Sequence, residues 1–330
     1  MSTENPLRIG ILGAARIAPM ALIRPARAVP EAQIAAVAAR DPQRAQAFAN
    51  KHGITRVHPS YDALLADAEI DAIYNPLPNA LHCEWTMRAL GAGKDVLCEK
   101  PLAANAAEAE RMTEAAARTG RILMEAFHWR YHPVADRMKQ IVDAGTLGAV
   151  RHIEAHMCIP LPLPNDIRYR YDLGGGATMD LGCYAISIMR HLAGAEPEVV
   201  RARAVLRGAA IDRTMAADFR FADGRTARIS CSLFSAVLLR ISARVIGERG
   251  EMRVLNPVAP HYGHWIKVRT RDSSSRERLR GPSTYTHQLR AFVAACRSRV
   301  APPTDGAHGI ANMKIIDAVY SAAGLPLRGT

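Results

Sequence analysis

Lys100, in Glu99-Lys100-Pro101 at the end of the apolar run Val96-Leu97-Cys98, stands where an α/β sheet presents reactive groups, because ligands collect at strand carboxyl ends. Proline lacks a ladder donor and keeps its predecessor extended, so the strand stops sharply and the lysine is held. Only six of the 43 basic residues are lysines, so the chain uses arginine where positive charge alone suffices. Lysine differs in that burial brings its pKa toward neutrality, which suits proton transfer. A second chemical group lies in Gly174-Gly175-Gly176-Ala177-Thr178-Met179-Asp180-Leu181-Gly182-Cys183-Tyr184. Asp180 and Tyr184 stand four apart, which puts a carboxylate and a phenol on one face of a helix. Beside a nicotinamide, a tyrosine, a lysine and an aspartate are what carbonyl reduction needs: hydride goes to carbon and a proton goes to oxygen. In this reading Tyr184 donates the proton, Lys100 lowers the phenol's pKa or donates itself, and Asp180 orients either partner. The competing reading is an ordinary strand-end lysine, a capping aspartate and a core tyrosine.

The nicotinamide requires a dinucleotide cradle, and Gly10-Ile11-Leu12-Gly13-Ala14-Ala15-Arg16-Ile17-Ala18 sits after the first strand and opens a helix, as such a fingerprint should. Gly13 supplies the tight turn, while Ala15 and Ala18 stand where glycines would let pyrophosphate and helix approach. A methyl group is a small intrusion, and the helix start still offers free N–H groups to an anion. Gly13, Ala14, Ala15, Arg16 and Ile17 are therefore cofactor candidates. The second strand ends in Ala38-Ala39-Arg40, and an arginine there accommodates the 2′-phosphate of NADP. Asp41 could serve the ribose of NAD, but Asp41-Pro42 also reads as a helix cap. NADP is the expected cofactor, with NAD as the alternative.

These groups need an alternating scaffold. Leu7 to Leu12, Ile34 to Ala39, Ala72 to Asn75, Asp95 to Cys98 and Ile122 to Glu125 read as strands separated by helices, which implies a doubly wound parallel sheet. From His132 the pattern changes to one helix, Pro133 to Ala144, and then to strands at 150–159, 199–206, 214–221, 226–233, 239–246 and 265–270. Asp223-Gly224 is a hairpin signal. Two helices close the chain, around 286–297 and 310–323. The fold class is thus α/β: a Rossmann domain over residues 1–130, then an α+β domain over 131–330 with a large, mainly antiparallel sheet. A length of 330 residues fits two domains.

The formal charge of +12 and the pI near 9.8 would permit a nucleic-acid partner. The arginines are scattered, and the densest group, Arg269 to Arg280 around a serine run, lacks interleaved aromatics and reads as a solvated loop. Six separated cysteines read as small buried hydrophobes in a reducing compartment, with no metal-ligand spacing. No signal pattern or membrane-length apolar run occurs, so the expectation is a cytoplasmic protein with no nucleic-acid or membrane partner and no metal.

Over essentially its full length the chain resembles the Gfo/Idh/MocA oxidoreductases. The resemblance is carried by Gly10 to Ala18, Glu99-Lys100-Pro101, the triple glycine through Tyr184, and Asn312-Met313-Lys314-Ile315-Ile316-Asp317-Ala318. It implies Lys100 and Asp180 at the catalytic centre, and an open second-domain sheet used to form a homodimer or homotetramer. Many members have histidine where Tyr184 stands. That departure, with Ala38 to Asp41 and Glu125-Ala126-Phe127, resembles the branch of dimeric dihydrodiol dehydrogenase and NADP-dependent D-xylose dehydrogenase, in which tyrosine is the acid/base. The implied substrate is a sugar, polyol, dihydrodiol or related small hydroxy/keto compound. In similar proteins the loop Asn75 to His82 lines the cofactor, which adds Leu77, Pro78, Asn79 and His82 to the cofactor candidates, and Glu99 and Lys100 join them from Glu99-Lys100-Pro101; taken alone, the loop's prolines mark only a turn. Trp129 and Arg130 cover the nicotinamide or pack the domain junction. Arg168, before the glycine run, is the candidate on a lid. Two alternatives are a glycoside-cleaving relative that uses its bound cofactor transiently and a non-catalytic dinucleotide-binding regulator.

Overall fold

The apolar run Leu7–Leu12 forms β1, with its last four residues buried, and it becomes the centre of a parallel sheet because both of its faces are covered. In the computed structural model, which describes residues 5–329, this sheet comprises β1, β2 (Ala32–Ala38), β3 (Arg56–His58), β4 (Ala72–Asn75), β5 (Asp95–Cys98) and β6 (Leu123–Glu125). Its order is β3-β2-β1-β4-β5-β6, the doubly wound pattern, and every pairing is parallel. The short β3 is not foreseen from sequence, since its residues are only half-buried and too few to show a period. Between the strands run a π-helical turn (Pro19–Ile23) continued by α1 (Arg24–Ala26), then α2 (Pro42–His52), α3 (Tyr61–Ala66), α4 (His82–Gly91) and α5 (Ala106–Thr119). Asp41 caps α2 by accepting from the Gln43 and Arg44 amides at 2.9 and 3.3 Å, and Gly53 ends it at φ 71°.

The chain divides into two units. One runs to Ala103 and adds Ala107–His128 and Tyr285–Ile310, so it takes back a late segment that a single cut at residue 130 does not anticipate. The other holds Ala104–Ala106, Trp129–Thr284 and Ala311–Thr330. In the second unit α6 (Pro133–Asp143) and α7 (Cys183–Ala193) accompany β7 (Val150–Cys158), β8 (Glu198–Arg207), β9 (Ile211–Arg220), β10 (Thr226–Ser232), β11 (Arg240–Gly247), β12 (Gly250–Leu255), β13 (Trp265–Thr270) and β14 (Ser274–Glu277). The sheet order is β14-β13-β12-β11-β7-β10-β9-β8, antiparallel except for the β7–β10 pair. The hairpin at Asp223-Gly224 joins β9 to β10, with Gly224 at φ 84°. The basic serine run is not a loop: Ser274–Glu277 adds an edge strand to β13, where charged side chains suit an edge. The closing helices are α8 (Thr284–Ser298) and α9 (Gly306–Ala322). All six cysteines are free and buried. Among the described residues no helix is long and apolar enough to cross a membrane.

His191, on α7, donates from Nε2 to the Ala135 carbonyl, 3.0 Å away, and faces the edge of the Trp129 ring. Burial, followed by the charge of Arg130, lowers its pKa from 6.5 to about 4. Below pH 6.5 the unfolded chain therefore binds the proton first, so stability is complete above that pH and falls as pH drops toward 4. At 1.36 kcal/mol per pKa unit the loss is on the order of 3 kcal/mol. His191→Gln should flatten the fall of Tm between pH 6.5 and 4; an unchanged acid slope would locate the loss elsewhere.

Candidate active site

At the carboxyl edge of the parallel sheet, β1 ends in Gly13 at φ 85°, whose amide donates to the Ala38 carbonyl at 2.6 Å. A side chain there would be strained and would press on Leu77 Cδ2 at 3.1 Å, so glycine lets the Asn75 to His82 loop close over the turn. Ala14, Ala15 and Ile17 are half-buried, Arg16 is exposed, and Ala18 is fully buried, the place where a small residue lets the helix pack. Leu77 is buried, while Pro78 and Asn79 stay half-exposed beside it. Arg40 is exposed at the end of β2. Burial pushes the nearby Tyr61 phenol up, against the positive charges of Arg40 and Arg44. Arg44, in the first turn of α2, shares this corner with Arg40. Asp41 is occupied as the α2 cap, so arginines dominate this corner.

Lys100 is half-buried and held from both sides. The preceding Glu99 accepts from the Tyr74 hydroxyl at 2.7 Å and from the Lys100 amide at 3.3 Å. On the far side the Lys100–Pro101 bond is cis, Pro101's carbonyl meets His82 Nδ1 at 2.9 Å, and the Leu102 amide donates to Glu125 Oε1 at 2.8 Å. His82 is fully enclosed and its Nε2 lies 2.8 Å from the Leu77 carbonyl. Its ring therefore braces the two loops from inside, and the proposed direct cofactor contact gives way to a positioning role. Burial holds its pKa below the ordinary value. Asn75, also fully buried, ties the same loop through Thr86 Oγ1 at 3.1 Å and the Leu77 amide at 3.3 Å. Glu125, with no exposure, completes the support through His308 Nδ1 at 3.1 Å.

In the second unit, Asp180 lies on a π-helical turn, Thr178–Gly182, that runs directly into α7. Such turns recur at functional sites. Asp180 Oδ2 accepts from Arg168 Nε at 2.8 Å, and Arg168 Nη1 also reaches Asp166 Oδ1 at 3.0 Å. The Asp180 charge is the first cause of the raised Arg168 pKa. Arg168 thus holds Asp180 in place. Tyr184 is 5% exposed on the first turn of α7. Trp129 and Arg130 belong to this unit and not to the sheet that carries Gly13 and Lys100. Trp129 is fully buried, as the packing alternative requires, and Arg130 pairs with Asp136 at 3.0 Å.

The glycine run is fixed by a network the sequence did not reveal. Fully buried Asp212 accepts from the Thr178 amide and hydroxyl at 2.7 and 2.6 Å, from Tyr320 at 3.0 Å and from Arg328 Nη2 at 3.0 Å. Arg328 Nε reaches the Gly175 carbonyl at 2.7 Å. A Cβ on Gly176, at φ 135°, would collide with Asp212 and Tyr320. The partners lie up to 153 residues apart, so no local spacing could have announced them. Among the described residues no group of three or more His, Cys, Asp or Glu could hold a metal.

The profile described as an oxidoreductase family with an NAD-binding Rossmann fold matches residues 7–127, and that of the GFO/IDH/MocA C-terminal domain matches residues 135–253. The chain is 35% identical over 318 residues to D-xylose 1-dehydrogenase (NADP(+)) 2 of Haloferax volcanii, covering 96% of this chain and 97% of that protein. It is 34% identical to a dTDP-3,4-didehydro-2,6-dideoxy-alpha-D-glucose 3-reductase of Streptomyces violaceoruber over 98% of this chain and 97% of the relative. Among solved structures, a 3-ketoreductase from Actinomadura kijaniata in complex with NADP and TDP-benzene superimposes with a TM-score of 0.90 at 30% identity, over 96% of this chain and 98% of that one. An aldose-aldose oxidoreductase from Caulobacter crescentus gives 0.89 at 25% identity, over 97% and 98%.

Proposed function

The chain belongs to the Gfo/Idh/MocA oxidoreductase family, and from that premise we propose that it is an NADP-dependent enzyme transferring hydride to or from a sugar, polyol or related hydroxy/keto compound. The observation that carries the NADP reading is the end of β2, where Arg40 and Arg44 act together near Tyr61 while Asp41 is spent on helix amides. Guanidinium reads phosphate well, and a carboxylate already accepting two amides is a poor partner for ribose hydroxyls. The cradle suits the group: the Gly13 turn admits no Cβ without pressing on Leu77. NADP, when bound, supplies or accepts the hydride at its nicotinamide.

The protein's own part is proton handling. In carbonyl reduction Tyr184 gives its phenolic proton to the oxygen as the carbon is reduced, and Lys100 lowers the phenol's pKa or serves as donor. Asp180, held by Arg168, orients the pair. The relatives' names support sugar-like substrates for this chain, and a homodimer or homotetramer built on the eight-stranded sheet fits the mostly exposed edge strand β8, with Val200, Val205 and Leu206 in the open.

Arg40→Asp removes a charge-assisted contact of about 1.5–3 kcal/mol and should raise KM for NADPH by about 10- to 100-fold while sparing NADH. Steady-state oxidation of both cofactors against aldoses, inositols, dihydrodiols and dicarbonyls checks cofactor and substrate class together. Retained NADPH preference in that variant would remove the cofactor argument.

A further inference from the structure

β9 carries one residue more than β8 opposes. Val205 faces Thr214 and Leu206 faces Asp212, which leaves Arg213 between them without a register partner. A bulge of this kind bends the strand and re-aims a side chain, and bulges recur beside active sites. Here it brings Arg213 to the wall of a recess of about 280 Å³. Leu161 and Tyr169 close the recess from the loop after β7, Leu206 and Arg207 from the end of β8, and Phe234 from just past β10. All of these residues belong to the second unit.

The recess is lined by two arginines and by no acidic residue. Arg213 is half-buried, its Nε is shut off from solvent, and that donor has no hydrogen-bond partner among the described residues. The acids closest to it in the chain and in the loop are already engaged. Asp212 accepts from Thr178, Tyr320 and Arg328, and Asp166 accepts from Arg168. Arg207 is held in place without spending its charge: its guanidinium stacks over the Tyr169 ring, 4.1 Å from the centre, and Nη2 donates to the Pro164 carbonyl at 3.1 Å. Tyr169 is fixed in turn by its hydroxyl, which donates to the Leu161 carbonyl at 2.8 Å. A partly dehydrated guanidinium with an unmet donor is unfavourable by itself, and an oxyanion beside it satisfies both the charge and the donor.

We propose that this recess binds an oxyanion of the substrate, a phosphate or carboxylate carried away from the reacting carbon, so that the enzyme acts on phosphorylated or acidic sugar-like compounds. The inference rests on the hydride-transfer reading and adds to it the charge of the compound. Two guanidinium forks can each meet a pair of oxygens, while Tyr169 and Phe234 offer flat apolar surface to the body of the ligand. The same loop ties the recess to the chemistry. Arg168, the residue before Tyr169, holds Asp180 with its Nε at 2.8 Å.

Steady-state NADP reduction by the full chain with D-glucose, D-glucose 6-phosphate and D-glucuronate tests the proposal. The kcat/KM of wild type should be higher for an anionic compound than for glucose by about tenfold or more, the worth of one charge-assisted contact. Arg213→Gln should raise KM for that compound by a similar factor and bring its kcat/KM down to that of glucose, with circular dichroism confirming the fold. Arg207→Gln, at an exposed position, should act in the same direction. Arg220→Gln, exposed on the same strand and outside the recess, should behave as wild type does. Preference for the 6-phosphate identifies a phosphate as the group bound, and preference for glucuronate identifies a carboxylate. Equal kcat/KM for neutral and anionic compounds, or an advantage that survives in both recess variants, would overturn the proposal. If none of the three compounds is turned over, the hydride-transfer reading is the one that suffers, and calorimetric titration with inorganic phosphate in saturating NADP decides the recess separately. Binding that weakens in Arg213→Gln upholds it, and absent or unchanged binding overturns it.

Discussion

Replacing Tyr184 with phenylalanine is expected to lower kcat by about 10²–10⁴-fold, the usual contribution of a positioned acid or base, while leaving the Kd for NADPH unchanged. The substitution removes one oxygen from a side chain 5% exposed at the start of α7, so packing survives and the effect isolates the proton. Lys100→Met should cost a similar factor, because the ammonium either sets the phenol's pKa or donates directly. The two together should lose less than the product of the single losses, as groups acting as a unit do. Fluorescence titration with NADPH and single-turnover measurements separate binding from chemistry. Undiminished turnover in both single variants would end the acid/base assignment and return weight to a non-catalytic dinucleotide-binding regulator.

Arg328→Met is expected to destabilise the second unit by about 3–5 kcal/mol, the cost of leaving a buried charge without its partner. Arg328 and Asp212 are both fully buried, 3.0 Å apart. Burial already pushes the Asp212 carboxyl up, outweighing the Thr178 hydrogen bonds and then the Arg328 charge that hold it down. Without Arg328 the carboxylate loses its counter-charge and is pushed further up, and Thr178 and Gly175 lose the frame that fixes the turn before Asp180. For a unit of this size Tm should fall by on the order of 10 °C. Asp212→Asn in the same chain should recover part of the loss by removing the orphaned charge. A Tm within about 2 °C of wild type would show that desolvation cancels the pair's attraction.

The candidate residues were legible because their signals are local. Glu99-Lys100-Pro101 follows an apolar run, Asp180 and Tyr184 share a helical spacing, and Arg40 ends a strand; each needs only a few neighbouring residues to be read. Helix caps such as Asp41 and Gly53, and the Asp223-Gly224 hairpin, are legible for the same reason. Edge strands were harder. Ser274–Glu277 carries the charges expected of a loop, since an edge strand presents one side to water.

By itself the sequence determined the α/β class, with a parallel sheet followed by a mainly antiparallel one, and the glycine turn after β1, because periodicity, turn chemistry and strand-end position are properties of short windows. Only the tertiary structure decided which candidates touch solvent and which brace others. His82 and Trp129 proved to be enclosed, and Arg168 proved to hold Asp180. Asp212 and Arg328 emerged as the frame of the glycine run from positions 116 residues apart. Burial and long-range hydrogen bonding depend on how distant segments pack, and no pattern within a window carries that information.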